Sequence, residues 1–298
     1  MKAVVRNSML AGILVGCFSL NAHASLIVGI LEDPGSSANQ LALLDTNTGD
    51  TTPLATILNP VNNQPFGLNK PNGLAHDEAG NRFVFAAGSS IYSISYVGDP
   101  ETGTYGPTSL LWTSQGNDIN SGAWYNGSYY FVQSNILRSI SGTTPDGAVL
   151  TAADTNVVNM GNPVNLGNDF GDIEIGSDGY MYVSNASRFR RLNLNNLGNG
   201  PLTELSTDPT TDPRPQVQLA FGLDGLLYGI DPNPVAAGGE YPIYRINTDT
   251  GAFTDIGTTP VKLTDAARVP EPAVLGLLGL GLTAMGFVGR RRRQAAIR

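Results

Sequence analysis

The sequence predicts an all-β fold built from a repeated unit, and three observations lead to this prediction. Glycine (36) and proline (19) are frequent among the 298 residues. Short runs of alternating apolar residues lie between turn signals, and no long stretch of the body has a helical period. A unit of strand, tight turn, strand, loop, strand, turn and strand recurs along the chain. Four antiparallel strands in about 40–50 residues are typical of one blade of a β-propeller.

Four copies of the unit begin with an inner strand and its turn, at 72–80, 122–127, 172–179 and 218–225. Asp-Gly or Asn-Gly forms the turn in the last three, and these pairs favour hairpins because glycine accepts a positive φ. Ala79-Gly80 takes that place in the first copy. The following strands are expected at 82–86, 90–95 and 109–113, at 129–132, 136–140 and 148–152, at 180–183, 188–194 and 202–205, and at 226–230, 242–247 and 252–256.

The first unit of the chain lacks an inner strand. It offers three strands, at 26–31, 40–44 and 52–57, while a lone strand-like run, 261–266, ends the body. We expect this last run to supply the missing strand, because pairing the end of the chain with its beginning removes exposed sheet edges. The result is a β-propeller of five four-stranded blades, although the diverged stretch 141–170 leaves room for a sixth.

Two outer segments, 43–49 and 245–251, have similar sequences. They are rich in Asp, Asn and Thr and end in glycine, so they could be taken for calcium loops. They lack the 12-residue spacing and the terminal Glu of an EF-hand, which favours a hairpin turn.

The N-terminus is typical of a secretory signal peptide over residues 1–24. Lys2 and Arg6 give a basic start, residues 9–20 are mostly apolar, and Ala22 and Ala24 are the small residues of a cleavage site. Cleavage after Ala24 would leave Ser25 as the first residue. The alternative is a lipobox at 14–17, which would make a lipidated Cys17 the first residue.

The last 30 residues have three parts in order. Pro270, Glu271 and Pro272 are followed by an uncharged apolar run, and then by Arg290, Arg291, Arg292 and Arg293. A transmembrane helix is expected at about 273–289. The uncharged run 273–288 would reach roughly 24 Å, which is short for such a helix, and the arginines would lie in the cytoplasm. This order resembles the PEP-CTERM sorting signal at 269–298. The resemblance implies an exosortase-type membrane protease that removes the tail, in a Gram-negative envelope that also makes exopolysaccharide. A plain membrane anchor is the alternative.

Composition excludes several classes of function for the body, residues 25–268. Cys17 is the only cysteine, so a mature chain has no disulfide, and only His76 remains as a histidine, which excludes zinc sites built from clustered histidines. Between residues 25 and 272 there are 10 Lys and Arg against 25 Asp and Glu, a formal charge of −15. Such a body should not bind nucleic acid or anionic lipid through general electrostatic attraction. No cofactor or metal motif is present.

Polar residues occupy the aligned positions of the inner strands, and a ligand site is therefore expected in the channel. They are Asn72, Ser121, Asp172, Gln218 and Asp265, and Glu174 shares a strand face with Asp172. Together they could hold a cation, water or a sugar, or they could only line a wet channel mouth.

Asp172 and Glu174 could also cleave a glycoside as a carboxylate pair. Without a family motif around them we expect them to be structural or weakly ligand-binding. Aromatic residues could stack on sugars or pack between blades, namely Trp112, Trp124, Tyr125, Tyr129 and Tyr130.

The sequence thus predicts an exported, non-enzymatic propeller that binds in the cell envelope or matrix. Its partners would be signal peptidase, an exosortase-type protease, and a polysaccharide or envelope protein, but no nucleic acid. After a transient stage in the membrane it would reach the cell surface or the medium. The alternative is a propeller glycoside hydrolase or lyase acting on an exopolysaccharide through Asp172, Glu174 or Asp265.

Overall fold

The structure is a computed structural model that describes residues 25–32, 39–67, 69–114, 116–134, 136–141, 158–159, 170–185, 188–196, 203–205, 216–235 and 239–269. The predicted signal peptide and the tail from residue 270 lie outside these ranges. So does the predicted strand at 148–152.

The described residues form twenty strands in five antiparallel sheets of four, with one 3-10 turn at Leu194–Asn196. Blade 1 contains β1 (Leu26–Glu32), β2 (Asn39–Asp45), β3 (Thr51–Ile57) and β20 (Leu263–Arg268). Blade 2 contains β4 (Pro71–Asp77), β5 (Arg82–Ala87), β6 (Ser90–Val97) and β7 (Thr104–Thr113). Blade 3 contains β8 (Ile119–Tyr125), β9 (Ser128–Gln133), β10 (Ile136–Ser141) and β11 (Val158–Asn159). Blade 4 contains β12 (Phe170–Ile175), β13 (Tyr180–Asn185), β14 (Arg188–Asn193) and β15 (Thr203–Glu204). Blade 5 contains β16 (Gln218–Phe221), β17 (Leu227–Ile230), β18 (Tyr241–Ile246) and β19 (Phe253–Thr259). The prediction of a five-bladed, all-β propeller is confirmed.

The last strand closes the ring, as the sequence predicts. β20 pairs antiparallel with β1, so that Ile27 faces Arg268 and Ile30 faces Asp265. The strand lies two residues further along the chain than expected, at 263–268. The five inner strands β4, β8, β12, β16 and β20 contact one another in that order, and β20 contacts β4 in turn. Each inner strand therefore has an inner strand on both sides.

The turns after the inner strands explain the Asp-Gly and Asn-Gly pairs. Gly127, Gly179 and Gly225 have φ values of 74°, 80° and 74°. In the first copy Asn81, and not Gly80, has the positive φ, at 47°. In this turn one more residue precedes the residue with a positive φ. For this reason Ala79-Gly80 matches the turns of the other copies poorly.

The two similar outer segments are hairpin turns. In the first, the Gly49 amide donates to the Asp45 carbonyl at 2.8 Å and the Asn47 amide donates to Asp45 Oδ1 at 2.9 Å. In the second, the Gly251 amide donates to the Asn247 carbonyl, also at 2.8 Å. Because the side chains of Asp45 and Asn247 each accept an amide of their own turn, the prediction of turns is confirmed.

The hydrophobic core is divided among the five blade interfaces. Each neighbouring pair of blades shares one cluster of buried side chains, such as Val28 and Leu41 of blade 1 against Phe83 and Phe85 of blade 2. The other clusters join blades 2 and 3, 3 and 4, 4 and 5, and 5 and 1. Without a disulfide, this ring of apolar interfaces and the strand pairing of blade 1 hold the blades together.

Candidate functional site at the centre of the ring

We call the face where the inner strands begin the upper face, and the face where they end the lower face. Four inner strands have a β-bulge next to their predicted site residue. In β4 the bulge follows Asn72, and in the other three strands it precedes the site residue. The pairing register skips Asn120 before Ser121, Gly171 before Asp172, and Thr264 before Asp265. A bulge bends the strand and changes the direction of the next side chain. The side chains of Ser121, Asp172 and Asp265 therefore leave their strands in a changed direction near the channel axis.

Asp265 connects its own strand to the next inner strand around the ring. Its Oδ1 accepts the amide of Ala266 and its Oδ2 accepts the amide of Leu74 in β4, both at 2.7 Å. Asp265 is completely buried, so its oxygens supply acceptors that water cannot provide to these amides.

Asp172 makes the same kind of connection between blades 4 and 5. Its Oδ1 accepts the amide of Ile173, and its Oδ2 accepts the amide of Leu219 in β16, both at 2.8 Å. Asp172 is also completely buried, and its carboxyl group hydrogen-bonds to that of Asp265. Because like charges repel, ionisation of one of these two buried carboxyl groups disfavours ionisation of the other.

The pKa values of these carboxyl groups reflect burial. Burial raises the pKa of Asp265 to about 7, although the hydrogen bonds it accepts oppose the shift. Burial and the nearby Asp265 raise the pKa of Asp172 well above its ordinary value. Burial also raises the pKa of Glu174, which the Arg268 guanidinium partly opposes. The centre of the ring therefore holds protons at neutral pH that exposed carboxylates would have lost.

The other predicted site residues lie next to this pair along the inner strands. Asn72 is half-buried at the upper face, and its Oδ1 accepts the Gly73 amide at 2.7 Å. Ser121 and Gln218 are buried, and in the described part of the chain Ser121 Oγ and Gln218 Oε1 have no hydrogen-bond partner. The same residues contain no group of three His, Cys, Asp or Glu side chains arranged to hold a metal ion.

The carboxyl groups at the centre of the ring are sealed from solvent, whereas one alternative from the sequence placed them at a wet channel mouth. Asp172 and Asp265 are 0% exposed and Glu174 is 5% exposed. The bulges turn these side chains inward and the narrow five-fold ring excludes solvent from them. A polysaccharide chain has no access to carboxyl groups in this position.

Tyr129 of β9 lies beside the carboxyl pair. Its hydroxyl donates to the Gly73 carbonyl, and a Cβ atom on Gly122 would lie 2.1 Å from that hydroxyl oxygen. Burial and the charges of Asp265 and Asp172 raise the pKa of Tyr129 well above 10. Of the five aromatic candidates, Trp112 and Tyr129 are buried between blades 2 and 3, while Trp124, Tyr125 and Tyr130 are half-buried.

A cleft of about 270 Å³ opens at the upper face, beside the start of β4 and β20. It is lined by Glu32, Lys70, Pro71, Asn72, Pro232, Lys262 and Thr264. The Glu32 carboxylate pairs with Lys70 and, at 3.1 Å, with Lys262. These ammonium groups lower the pKa of Glu32, the hydrogen bond from Lys70 having the largest effect. The sequence reasoning missed this cleft, because its two lysines are 192 positions apart in the chain.

The lower face carries both ends of the described body. Ser25 lies there because its carbonyl accepts the backbone amide of Thr46, at 3.0 Å, from the turn after β2. At the other end, Arg268 and the buried Val269 line a cavity of about 160 Å³ with Ser177, Phe221, Gly222, Leu223 and Gly225. The N- and C-terminal extensions therefore leave the disc from the same face.

His76 is a buried structural residue. Its Nε2 lies 2.9 Å from the Tyr96 hydroxyl, and burial lowers its pKa to about 3. It is therefore neutral at ordinary pH, and its polar contact is with the phenol group of Tyr96.

Comparison with known proteins identifies the segment at the C-terminal end of the described body. Residues 268–293 match the family profile of the PEP-CTERM protein-sorting motif. The chain carries a PEP-CTERM sorting motif. It is therefore an exported protein, sorted to the cell envelope, with a propeller as its body, and such motifs are recognised by exosortase, a membrane enzyme. Within the described ranges no helix has the length and apolar character to cross a bilayer; the predicted helix at 273–289 lies outside them.

Solved structures resemble the PEP-CTERM protein at low sequence identity, and a search of curated proteins found no match. A chain of a nidogen/laminin complex is 12% identical, with 81% of this chain and 97% of that chain covered, at a TM-score of 0.49. The calcium-binding protein regucalcin from Agrobacterium tumefaciens is 14% identical, with 83% and 76% covered, at a TM-score of 0.40. A 6-phosphogluconolactonase-like protein from Bacteroides uniformis is 15% identical, with 79% and 82% covered, at 0.43. Because these TM-scores are below 0.5, the similarities do not establish the fold, which is defined by the strand pairing of the five sheets.

Proposed function

We propose that this chain is a non-enzymatic binding module of the cell envelope or extracellular matrix. In this proposal signal peptidase removes residues 1–24, the tail anchors the protein transiently in the inner membrane of a Gram-negative cell, and an exosortase-type protease then removes the tail. The mature disc binds an exopolysaccharide or another envelope protein, on the cell surface or outside the cell.

The main support for this proposal is that the central carboxyl groups bind backbone amides of the ring. Glycoside cleavage needs two carboxyl groups on either side of a bound sugar, one as acid and one as base or nucleophile. Asp172 and Asp265 instead accept backbone amides from two strands each, and no solvent reaches them. Their raised pKa values are those of a buried structural pair, so in this proposal the two carboxyl groups support the ring and do not act on a substrate.

We place the binding surface on the upper face, at the cleft between Lys70 and Lys262. Each ammonium group has three donors, and Glu32 is their shared carboxylate in this cleft. In a body of formal charge −15, these are two of only ten basic residues. The cleft suits an acidic sugar, whose carboxylate would take the remaining donors and whose hydroxyls would meet Asn72 and Thr264.

Binding to the host's purified exopolysaccharide, measured by calorimetry on the mature protein, tests this proposal. The Lys70→Gln, Lys262→Gln double variant should lose at least about ten-fold in affinity, since hydrogen bonds to charged groups contribute about 1.5–3 kcal/mol each. A Lys→Gln exchange keeps most of the side chain, so the fold is preserved. Glu32→Gln is the matched control, because it removes the competing carboxylate and should maintain or strengthen binding. Equal affinity in the parent and the double variant would remove the cleft from the proposal.

The hydrolase alternative is tested in the same preparation. Polysaccharides are incubated with the parent and with the Asp172→Asn, Glu174→Gln double variant, and reducing ends are counted. The proposal expects none from either protein. Reducing ends from the folded parent that disappear in the variant would establish the hydrolase instead. Mass spectrometry of the exported protein should recover no peptide from 273–298, and an intact tail would leave a plain anchor.

A further inference from the structure

The sorting motif follows the closing strand without a spacer. β20 ends at Arg268, Val269 is buried in the core between blades 1 and 2, and the next residues are Pro270, Glu271 and Pro272. The chain is thus held by the fold up to the residue that precedes Pro270.

The short distance to the apolar run restricts where the disc can lie. Ala273, at the start of that run, follows Val269 by four steps of the chain, which span at most about 14 Å when fully extended. The headgroup layer takes up roughly 5–8 Å of that distance on each side of the hydrocarbon core. The attachment point must therefore lie almost at the bilayer surface while the tail is inserted.

The position of the attachment point sets which face points to the membrane. β20 is an inner strand, so Val269 leaves the disc near its central axis, and it does so at the lower face. An anchor at the rim would allow the disc to stand on edge. An anchor near the axis holds the whole lower face towards the bilayer.

We propose that in the tail-anchored precursor the lower face lies against the membrane surface and the upper face, with its lysine cleft, points outward. This inference rests on the proposed anchoring of the precursor by its tail. Exposed acidic residues lie in the lower-face turns of four blades: Asp50, Glu78, Asp178, Asp224 and Asp249. They would be repelled by anionic lipid, so the short tether and not surface attraction holds the disc there. Removal of the tail would then release it.

Single cysteines can report the orientation, because Cys17 is the only cysteine of the chain. In a Cys17→Ser background, Glu78→Cys and Asp50→Cys place a dye on the lower face. Val61→Cys and Val235→Cys, at side chains that are 85% and 69% exposed, place it on the upper face. Full-length precursor is reconstituted in phosphatidylcholine vesicles that contain a lipid with a nitroxide headgroup, which quenches nearby dyes.

The lower-face dyes should lose more than about half of their emission and the upper-face dyes less than about a tenth, because strands of about seven residues separate the faces by roughly 23 Å. Twenty Gly and Ser residues inserted between Val269 and Pro270 give a flexible tether of about 25 Å and should remove the difference. Equal quenching at all four positions without the insert would overturn the proposed orientation. A precursor that does not float with the vesicles would instead overturn the anchoring on which it rests.

Discussion

The replacement of Asp265 by alanine should be one of the most damaging changes in this protein. The carboxyl group accepts the amides of Leu74 and Ala266 at 2.7 Å, and all three residues are buried. Alanine would leave both amides without an acceptor, and each buried unpaired group costs about 1–3 kcal/mol. The expected loss is about 2–6 kcal/mol, from a free energy of unfolding of about 5–15 kcal/mol for a typical domain.

Urea unfolding of the mature protein, followed by tryptophan fluorescence, measures this loss. Asp50→Ala is the matched control, because Asp50 is exposed in a lower-face turn, and its effect should stay within about 0.5 kcal/mol. If Asp265→Ala unfolds at the same urea concentration as the control, the Asp265 carboxyl group does not join blades 1 and 2 as we argue.

The same residue should make stability depend on pH. Burial raises the pKa of Asp265 from 3.8 to about 7, so the folded state keeps a proton that the unfolded state releases. This contribution is fully present below about pH 4 and is lost as the pH rises to about 7, at up to about 1.4 kcal/mol per pH unit. Asp172, Glu174 and Tyr129 are the titratable groups that interact with it, and Arg268 acts on Glu174. Asp265→Asn should therefore lose less stability than the parent between pH 5 and 7, and identical slopes would refute this reasoning.

Three further predictions follow from the strands and the chain ends. A chain ending at Pro260 should melt well below one ending at Val269, because it loses the pairing of β20 with β1 and the burial of Leu263; equal melting temperatures would show that closure adds nothing. Gly122→Ala should destabilise by about 1–3 kcal/mol through the clash with Tyr129, and unchanged urea unfolding would mean that the ring relaxes around the methyl group. N-terminal sequencing should find Ser25 first, whereas a lipidated cysteine would support the lipobox alternative.

The architecture was predictable because its signals are local. Gly127, Gly179 and Gly225 mark the turns after three inner strands, and a strand-like run at the end of the chain fits the missing strand of blade 1. Each depends on a few neighbouring residues. The end of β20 was predicted two residues early, because propensity does not locate the last paired residue.

The site was less predictable, because it depends on how five distant strands meet. Period-two alternation correctly placed Asp172 and Glu174 on one face of a strand. It could not reveal the bulge at Gly171, which re-aims Asp172, nor that the neighbouring inner strands exclude water from both carboxyl groups. The lysine cleft brings together Lys70 and Lys262 only after the ring has closed, so no local pattern could indicate it.

The pairing of β1 with β20 also determines when this protein can finish folding. Its first and last strands form one sheet, so blade 1 stays incomplete until residue 268 has arrived. A chain exported from its N-terminus delivers that strand last, just ahead of the sorting motif. Until then β1 and the inner strand of blade 2 lack a neighbour, and pairing across such a long sequence separation is slow. In the export route that we propose, the disc would be completed only once the tail has reached the membrane. A chain interrupted during export would then expose an open ring to the proteases of the compartment it enters.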